Sequence, residues 1–582
     1  MRSLITASVV LLAACGGPRA ATSPAPAPAP SSPSPEELAA GAPSSPALPP
    51  VPLVAGPLAP RVVYPTTNAI IQSRDSNFIF GSVGNGHATL TINGQPVHVW
   101  PNGAYLAWLP IPTADAPRYD LGAAAGADTA RMSLPVRLLP PPPQPDSART
   151  DSLSDSARIA RAAADTAKRA VAKADTTKRA AAKADTTKRV TTTPDTTRRA
   201  LAPADTAPVY VVLGGVPDST LSDTDRVVIG RPTPGGTYKW FFLPGTVVQQ
   251  VSRDGNFTRV RLDSSLDVWV NATDATPAPA GTAAPVRVAG NARVVPAEGW
   301  LDLIIPIGAR PPYAVEERGR DLVLTLYGTR ATTDIIAYRG NDPAVRTVEW
   351  MQETSDRARY TVHLRDRPFG YLVLWDSAGG SLVLRMRRRP AIDRARPLAG
   401  LTIAVDPGHP PIGATGPTGL WEPQATLWVG QRVERLLRER GANVFMTRTT
   451  MDPVGLGDRP MMARRVDAHA LVSIHLNALP DGINPFRAHG TGTYFFRAQA
   501  EPLARAVQRG MVARMQLPNL GVYYDNLALA RPTWMPSILC EGAFLMLPDQ
   551  EAALRTPQFQ EAYARGIVDG IEEYFRELSD DR

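Results

Sequence analysis

The sequence predicts a multidomain protein with an α/β C-terminal domain, in which helices flank a mostly parallel mixed sheet. Several small all-β modules and disordered linkers precede that domain. Three observations lead to this fold class. The 582 residues are too many for one hydrophobic core. Residues before 397 hold short alternating apolar runs, separated by turn residues and by Pro-rich or Ala-rich segments. After Pro397, strands alternate with amphipathic helices, which is typical of a parallel sheet.

Residues 1–15 resemble a bacterial lipoprotein signal. Arg2 precedes a mostly apolar run at residues 4–14, which is too short to span a bilayer, and small residues lead into Cys15. Cleavage of such a signal leaves Cys15 as a lipidated N-terminus. The alternative is an ordinary secretory signal with a chance cysteine. Either signal places the mature protein outside the cytoplasm. Because Gly16 and not an acidic residue follows Cys15, we expect an anchor at the periplasmic face of the outer membrane.

Two segments of the chain are predicted to be linkers. Residues 16–60 are rich in Pro, Ala and Ser and predict an extended tether. Residues 141–207 contain a decapeptide repeat such as "ADTTKRAAAK", and 13 basic and 7 acidic residues over 148–207 give this segment +6 of the net +8. Evenly mixed charges without aromatic residues argue against nucleic-acid binding and favour a solvated spacer. Weak, salt-sensitive adhesion to anionic envelope polymers is the alternative.

Three regions between these segments predict all-β modules. Residues 61–140 contain tight-turn dipeptides at Asn93-Gly94 and Asn102-Gly103 between alternating apolar runs, and they resemble an Ig-like module. Residues 208–280 alternate through three or four strands and resemble an SH3-like module. Residues 286–392 resemble an AMIN-like β domain, for which we expect one curved antiparallel sheet. We refer to these regions as the first, second and third β modules.

The two cysteines, Cys15 and Cys540, limit the kinds of site that the chain can build. They exclude a disulfide framework and any metal site made of several thiolates. A metal site in this chain would therefore depend mainly on histidine and carboxylate ligands. With Cys15 acylated, Cys540 has no partner, and we expect it to be a small buried apolar residue.

For the C-terminal domain, residues 397–582, the sequence predicts the order of the strands and helices. Strand "LTIAVDPGH" comes first, then the amphipathic helix "QATLWVGQRVERLLRERG" and strand "NVFMTR". Strands "ALVSIHLNA" and "GTYFF" follow, and then helix "EPLARAVQRGMVARM" and strand "PSILCEG". The final helix has one apolar stripe, made of Phe559, Tyr563, Ile567, Ile571, Phe575 and Leu578.

Four side chains stand where such a sheet gathers its ligands, beyond the carboxyl ends of the strands. His409, His475 and Glu541 each lie at a strand end, and Glu422 lies just before the first helix. Two imidazoles with one or two carboxylates form a donor set suited to a catalytic zinc ion. Taken singly, His475 could be a buried structural histidine, and Glu422 could be an acid favoured at a helix start. Glu541 follows a buried apolar strand, where a carboxylate needs a partner.

Five motifs in order make residues 398–578 similar to the zinc-dependent N-acetylmuramoyl-L-alanine amidases of the type-3 family. The motifs are "VDPGH" with His409, "WE" with Glu422, "TR" with Arg448, "SIHLNA" with His475 and "ILCEGAFL" with Glu541. This resemblance implies one Zn²⁺ held by His409, Glu422 and His475, with Glu541 as the catalytic carboxylate. It also implies peptidoglycan as the substrate, cleaved between N-acetylmuramic acid and L-alanine. Division or cell-wall proteins are further expected partners, whereas nucleic acid is not.

The site also contains departures from the family pattern and residues with open roles. Pro410 and Pro411 replace the usual glycine after "DPGH", and Pro423 follows Glu422. For Arg448 and Arg459 we weigh loop anchoring or carboxylate binding against ion pairs with Asp452 or Asp458. Asp406 either orients the site or ends a strand, and the role of Asn477 stays open. His469 and His489 are not expected to be ligands.

Two other functions fit the same sequence. The domain could be a weakly active or inactive amidase-like protein that binds the cell wall, or a zinc peptidase that cuts within the stem peptide. Regulated amidases carry a blocking helix between the second histidine and the catalytic glutamate. Residues 475–541 contain one obvious helix. The sequence therefore predicts an open site, and activity for the isolated domain 397–582.

Overall fold

A computed structural model describes residues 48–140, 208–215, 227–340 and 342–580. The predicted signal with Cys15, most of the tether and the repeat linker at 141–207 lie outside the described residues, so these interpretations stay predictions. Within the described ranges, no helix combines the length and the apolar character that a membrane crossing requires.

The first β module folds into two main sheets around its own apolar core. One sheet has the order β1-β3-β6 and the other the order β5-β4-β7-β8, with a short β2-β9 pair between distant parts of the chain. Asn93 and Gly94 have positive φ angles and join β4 to β5, as the sequence predicts. The strands are β1 Arg61–Tyr64, β2 Ile70–Ile71, β3 Ser76–Ser82, β4 Thr89–Ile92, β5 Gln95–Val97, β6 Ala104–Pro110, β7 Arg118–Ala125, β8 Asp128–Pro135 and β9 Arg137–Leu138.

The second β module is a five-stranded antiparallel sheet in the order β15-β14-β13-β10-β16, with a separate β11-β12 hairpin. A short 3-10 turn, Ala272–Asp274, precedes β16. Its core includes Trp240 and Phe242 from the hairpin. The strands are β10 Tyr210–Leu213, β11 Val228–Gly230, β12 Trp240–Phe242, β13 Thr246–Asp254, β14 Phe257–Asp263, β15 Leu266–Asn271 and β16 Ala275–Pro277.

The third β module differs from the single curved sheet that its sequence predicts. It has a five-stranded sheet, β23-β18-β19-β27-β26, a four-stranded sheet, β20-β21-β25-β24, and a parallel β17-β22 pair. The two larger sheets share one core, because each has an apolar face that must be covered. The strands are β17 Val288–Ala289, β18 Ala292–Ala297, β19 Trp300–Pro306, β20 Tyr313–Arg318, β21 Asp321–Tyr327, β22 Arg330–Ala331, β23 Ile336–Tyr338, β24 Val345–Thr354, β25 Arg357–Leu364, β26 Tyr371–Asp376 and β27 Ser381–Arg387.

The C-terminal domain is built on a six-stranded mixed sheet in the order β29-β28-β30-β33-β31-β32. The first four strands are parallel, β31 runs antiparallel to β33, and β32 runs parallel to β31. The mostly parallel sheet is therefore present in the structure. The strands are β28 Thr402–Pro407, β29 Asn443–Met446, β30 Ala470–Asn477, β31 Thr491–Phe495, β32 Asn519–Tyr524 and β33 Ser537–Phe544.

Five helices accompany this sheet, and two of them escape the sequence analysis. They are α1 Glu422–Glu439, α2 Asp458–Arg465, α3 Glu501–Met515, α4 Pro548–Leu554 and α5 Pro557–Asp580, with 3-10 turns at Ala498–Ala500 and Ala528–Ala530. The apolar stripe of α5 is buried in the domain core, as predicted. The helices α2 and α4 and the strand β32 are not predicted from the sequence. Each is short, and "DRPMMARR" of α2 and "PDQEAAL" of α4 have few apolar residues to give a helical period.

The first and third β modules contact opposite ends of the C-terminal sheet. Arg387 of the third module donates to the carbonyls of Asp467, Ala468 and Trp534, which precede β30 and β33. The first module instead packs on the segments that follow the same two strands, near Leu479 and Met546. The carboxyl ends of these strands are the place where the sequence predicts the functional site.

Candidate metal centre

The carboxyl ends of three neighbouring strands bring the sequence-predicted residues together. His409 follows β28, His475 lies near the end of β30, and Glu541 lies in β33. β30 pairs with both other strands, and His475 stands opposite Glu541 in the register of the sheet. Glu422 is the first residue of α1. A parallel arrangement of strands thus converts four positions spread over 133 residues into one local cluster.

Glu422 lies between the two histidines. Its Oε2 is 3.2 Å from His409 Nε2, and its Oε1 is 3.2 Å from His475 Nδ1. The backbone N–H groups of Ala414 and Leu476 each donate to this carboxylate at 3.0 Å. Burial raises the pKa of Glu422, but the hydrogen bonds to both imidazoles outweigh burial and hold the pKa well below its usual range. The side chain therefore stays ionised, and its place at the start of α1 does not stop it from facing the imidazoles.

The donor set of this cluster fits a divalent metal. One ligand atom from each of His409, Glu422 and His475 can be chosen so that all three lie within 4.8 Å of one another. Two imidazole nitrogens and one carboxylate oxygen are a recurrent set of protein ligands for catalytic zinc, which leaves a fourth position for water or substrate. Glu422 is 3% exposed, so its negative charge needs cationic partners at this place.

Glu541 brings to the site a buried carboxylate oxygen without a hydrogen-bond partner among the described residues. Its Oε2 is buried and makes no hydrogen bond within the described part of the chain. Burial, together with the negative charge of Glu422, raises the pKa of Glu541 well above its usual value. An unpaired buried carboxyl group is costly for stability and is typical of a residue with a chemical task. The neighbouring Cys540 is free and buried, as the sequence predicts.

The domain that carries this cluster is similar to known proteins. Residues 403–573 match the sequence family described as N-acetylmuramoyl-L-alanine amidase. The Bacillus subtilis protein YqiI is 31% identical over 198 residues, which cover 33% of this chain and 93% of YqiI. The C-terminal domain belongs to the N-acetylmuramoyl-L-alanine amidase family. We call it the amidase domain.

Two further similar proteins each match just under a third of this chain. The probable cell wall amidase LytH of Staphylococcus epidermidis is 31% identical over 185 residues, which make up 31% of this chain and 60% of LytH. The crystal structure of an N-acetylmuramoyl-L-alanine amidase from Clostridium difficile 630 is 29% identical. The match covers 30% of this chain and 96% of the Clostridium difficile chain, with a TM-score of 0.29.

The loop that carries His409 in the amidase domain is tightly constrained. His409 has φ +61°, a left-handed conformation that a side chain with a Cβ rarely adopts without support. Gly408 lies directly against the imidazole of His475, since a Cβ at this position would fall 2.4 Å from His475 Cε1. Only glycine lets the His409 loop approach the second imidazole this closely.

Two buried arginines hold this loop through its carbonyl groups. Arg459 donates to the carbonyls of Pro407 at 2.9 Å and His409 at 2.8 Å, and to Asp406 Oδ1 at 2.8 Å. Arg448 donates to the carbonyls of Pro407, Gly408, Pro423 and Thr450 and to Thr426 Oγ1.

Through these contacts both arginines anchor the His409 loop, which is one of the two roles considered for them from the sequence. The acid partner of Arg459 is Asp406, and neither Asp452 nor Asp458 takes that place. Burial and the positive charge of Arg459 lower the pKa of Arg448 to about 10.

Asp406 and Asn477 connect the catalytic strands to their surroundings. Asp406 is fully buried and also accepts hydrogen bonds from Thr447 Oγ1 at 2.5 Å and Ser473 Oγ at 2.6 Å. It thus links β28 and β30 to Arg459, which is the orienting role considered from the sequence. The backbone carbonyl of Asn477 accepts a hydrogen bond from the N–H of Leu545 at 3.3 Å, which links the end of β30 to the segment after β33.

Two supporting residues are absent from the sequence predictions for the site. Glu551 of α4 is fully buried, and its carboxylate accepts hydrogen bonds from the N–H groups of Thr418 at 2.8 Å and Leu420 at 2.9 Å. It therefore fixes the loop that leads into Glu422. The hydroxyl of Tyr563 lies 3.1 Å from the carbonyl of His475 and 3.2 Å from that of Cys540. The sequence places Tyr563 on the buried stripe of α5, but it contains no signal for Glu551.

The other two histidines of the amidase domain lie outside the cluster. His469 Nδ1 accepts a hydrogen bond from the N–H of Thr402 at 3.0 Å, and burial lowers the pKa of this imidazole. His489 Nδ1 lies 2.9 Å from the carbonyl of Pro485. Neither belongs to the His409–Glu422–His475 group, in agreement with the expectation from sequence.

Proposed function

We propose that the amidase domain is a zinc-dependent hydrolase that cleaves the amide between the lactyl group of N-acetylmuramic acid and L-alanine. The observation that carries this proposal is the donor set of His409, Glu422 and His475, with Glu422 buried between the imidazoles, beside the buried and unpaired Oε2 of Glu541. The family of the domain and the printed name of LytH, a probable cell wall amidase, support peptidoglycan as the substrate.

His409, Glu422 and His475 would hold the metal. Bound zinc supplies Lewis acidity, which lowers the pKa of a bound water molecule and polarises a carbonyl group. The ionised carboxylate of Glu422 sets the orientation of both imidazoles, because each of its oxygens contacts one ring. Arg448 and Arg459 keep the His409 loop in place through its carbonyls.

Glu541 would move the proton in this reaction. Its carboxylate takes a proton from the attacking water, whose oxygen forms a bond to the amide carbon. The amide C–N bond then breaks, and Glu541 returns the proton to the departing alanine nitrogen. The products are a lactyl carboxylate and a stem peptide with a free α-amino group. The raised pKa of Glu541 favours its protonated form, which is the form that gives a proton to the departing alanine nitrogen.

We also propose that the protein is a lipoprotein of the cell envelope, anchored through Cys15 at the periplasmic face of the outer membrane. The apolar run before Cys15 and the glycine after it support this location. Peptidoglycan would then lie within reach of a domain held on a tether of Pro, Ala and Ser residues.

Digestion of purified sacculi by the full chain tests the proposed reaction. We expect soluble stem peptides that begin with L-alanine, identified by mass spectrometry. A chelator should abolish their release, and added Zn²⁺ should restore it. Glu541→Ala should lower the rate about 10³-fold, because general acid–base catalysis contributes 10²–10⁴-fold. Glu573→Ala, on an exposed face of α5, is the matched control.

Each alternative gives a different result in this assay. Fragments cut within the stem would indicate a peptidase, and binding to sacculi without any release would indicate a wall-binding protein. Undiminished release by the Glu541→Ala chain would refute the role given to this carboxylate.

A further inference from the structure

The first β module lies against the two segments that leave the catalytic strands. One segment, residues 478–490, follows His475 at the end of β30, and the other, residues 545–547, follows Glu541 at the end of β33. We call the surface of the first β module that contacts them the docking face. It contains Tyr64, Gln72, Asn77, Phe78, Phe80, Trp100 and Leu106.

Asp481 is the polar centre of this contact. Its carboxylate accepts hydrogen bonds from the hydroxyl of Tyr64, from the N–H of Gln72 at 2.6 Å and from Asn77 Nδ2 at 2.9 Å. The carbonyl oxygen of the Asn77 side chain accepts in return from the N–H of Gly482 at 3.1 Å. Asn77 is fully buried, so its amide depends on these partners from the amidase domain. Burial and the bond to Asp481 raise the pKa of Tyr64, which keeps its hydroxyl a donor.

An apolar cluster surrounds this polar centre. Phe78, Phe80 and Trp100 of the docking face share one buried cluster with Phe544 and Met546 of the amidase domain. Leu479 and Phe486, from the segment after His475, pack against the same cluster. The aromatic rings of the docking face thus cover both segments at once, which binds them together as well as to the module.

The two segments are also linked to each other next to the metal ligands. The N–H of Leu545 donates to the carbonyl of Asn477 at 3.3 Å. One residue earlier, the N–H of Leu476 donates to the carboxylate of Glu422. A displacement of either segment would therefore reach His475, Glu422 and Glu541 through two or three residues of backbone.

We propose that the first β module is a positioning element of the amidase active site, and that Asp481 of the amidase domain is the main positioning residue that it holds. The docking face holds the segments after β30 and β33 in register, so that His475 and Glu541 keep their relative placement. This inference rests on the proposed function for its effect on catalysis. For the isolated domain 397–582 it predicts the opposite of the expectation from sequence, namely a loss of metal affinity and activity without the module.

Variants of the full chain test this role. Asp481→Ala removes the shared acceptor, and Asn77→Asp places a carboxylate against Asp481. Each should lower kcat about tenfold with KM nearly unchanged, because small displacements at a reacting centre have large effects on rate. Each should also weaken Zn²⁺ binding about tenfold in a competition titration with a chromophoric chelator. Asp120→Ala, at an exposed position of the same module, should change neither quantity.

A swapped pair separates positioning from simple loss of stability. The double variant Asn77→Asp with Asp481→Asn restores an amide–carboxylate pair in the opposite direction. We expect it to recover kcat and zinc affinity to within about threefold of the parent chain. Hydrogen exchange at the N–H of Leu545 reports docking directly, and it should speed up in both single variants and slow again in the pair.

One combination of results would contradict the positioning role of the first β module. If exchange at Leu545 speeds up in Asp481→Ala while zinc affinity and kcat stay at parental values, the module docks without positioning the site. If the parent chain releases no stem peptides, the proposed function fails. The zinc titration and the exchange measurement still decide the role of the module in that case.

Discussion

The first and third β modules contact opposite ends of the C-terminal sheet, and the two contacts differ in their chemistry. The first module surrounds Asp481 with three donors and covers the segments after β30 and β33 with aromatic rings. The third module relies on Arg387, whose guanidinium donates to three carbonyls that precede the same strands and forms an ion pair with Asp467.

We infer that contacts at the carboxyl ends of the strands affect the proposed reaction, whereas contacts at the amino ends only hold the domains together. In open α/β sheets, ligands bind beyond the carboxyl ends of the strands, so every loop there can displace a reacting group. At the amino ends, four or five residues of hydrogen-bonded strand stand between a contact and the site. We therefore expect changes at the carboxyl end to alter stability and activity together. Changes at the amino end should alter stability alone.

Loss of Arg459 at the carboxyl end should have the largest effect. Arg459→Met leaves the buried carboxylate of Asp406 without its charged partner and frees the His409 loop. Removing one partner of a buried ion pair costs about 3–5 kcal/mol, and we expect this loss in urea unfolding. Release of stem peptides from sacculi should also fall below detection. Arg465→Met, on the exposed side of the same helix, is the control. A stable and active Arg459→Met chain would contradict the view that contacts at the carboxyl end affect stability and activity together.

A smaller combined effect is expected at Glu551. Glu551→Gln keeps the size of the side chain but turns an N–H group towards the backbone donors of Thr418 and Leu420. Leaving buried donors unsatisfied costs about 1–3 kcal/mol. Because these donors lie in the loop before Glu422, kcat should fall about tenfold in the sacculus assay. If the free energy of unfolding falls and kcat does not, the loop before Glu422 would resemble the contacts at the amino end, which affect stability alone.

The smallest effect on activity is expected at the amino end. Arg387→Met removes three hydrogen bonds to carbonyls and should lower the free energy of unfolding by about 1–2 kcal/mol. The kcat for stem-peptide release should stay within twofold of the parent chain. Arg385→Met, on the same strand and paired with Asp302 within the third module, serves as the control. A tenfold fall in kcat would show that both ends of the sheet tune the site.

The sequence predicts the cluster of His409, Glu422 and His475 because strand order alone places such residues together. Parallel strands have a readable apolar pattern, and their carboxyl ends meet at one edge. Glu551 and Asp481 are different, since their partners are groups 131 to 417 residues away along the chain. No local pattern records such a pairing. The two sheets of the third module escaped prediction for the same reason, because alternation identifies strands but not their neighbours.

Docking between the first β module and the amidase domain closes the chain into a ring. The predicted spacer at residues 141–207 and the second and third modules all lie within this ring, so a cut in the spacer should leave two fragments held by the docking face. For a flexible spacer, doubling the length of the ring costs only about 0.6 kcal/mol of closure free energy. Decapeptide repeats could then be gained or lost with little effect on the amidase site, which leaves the length of this segment free to vary.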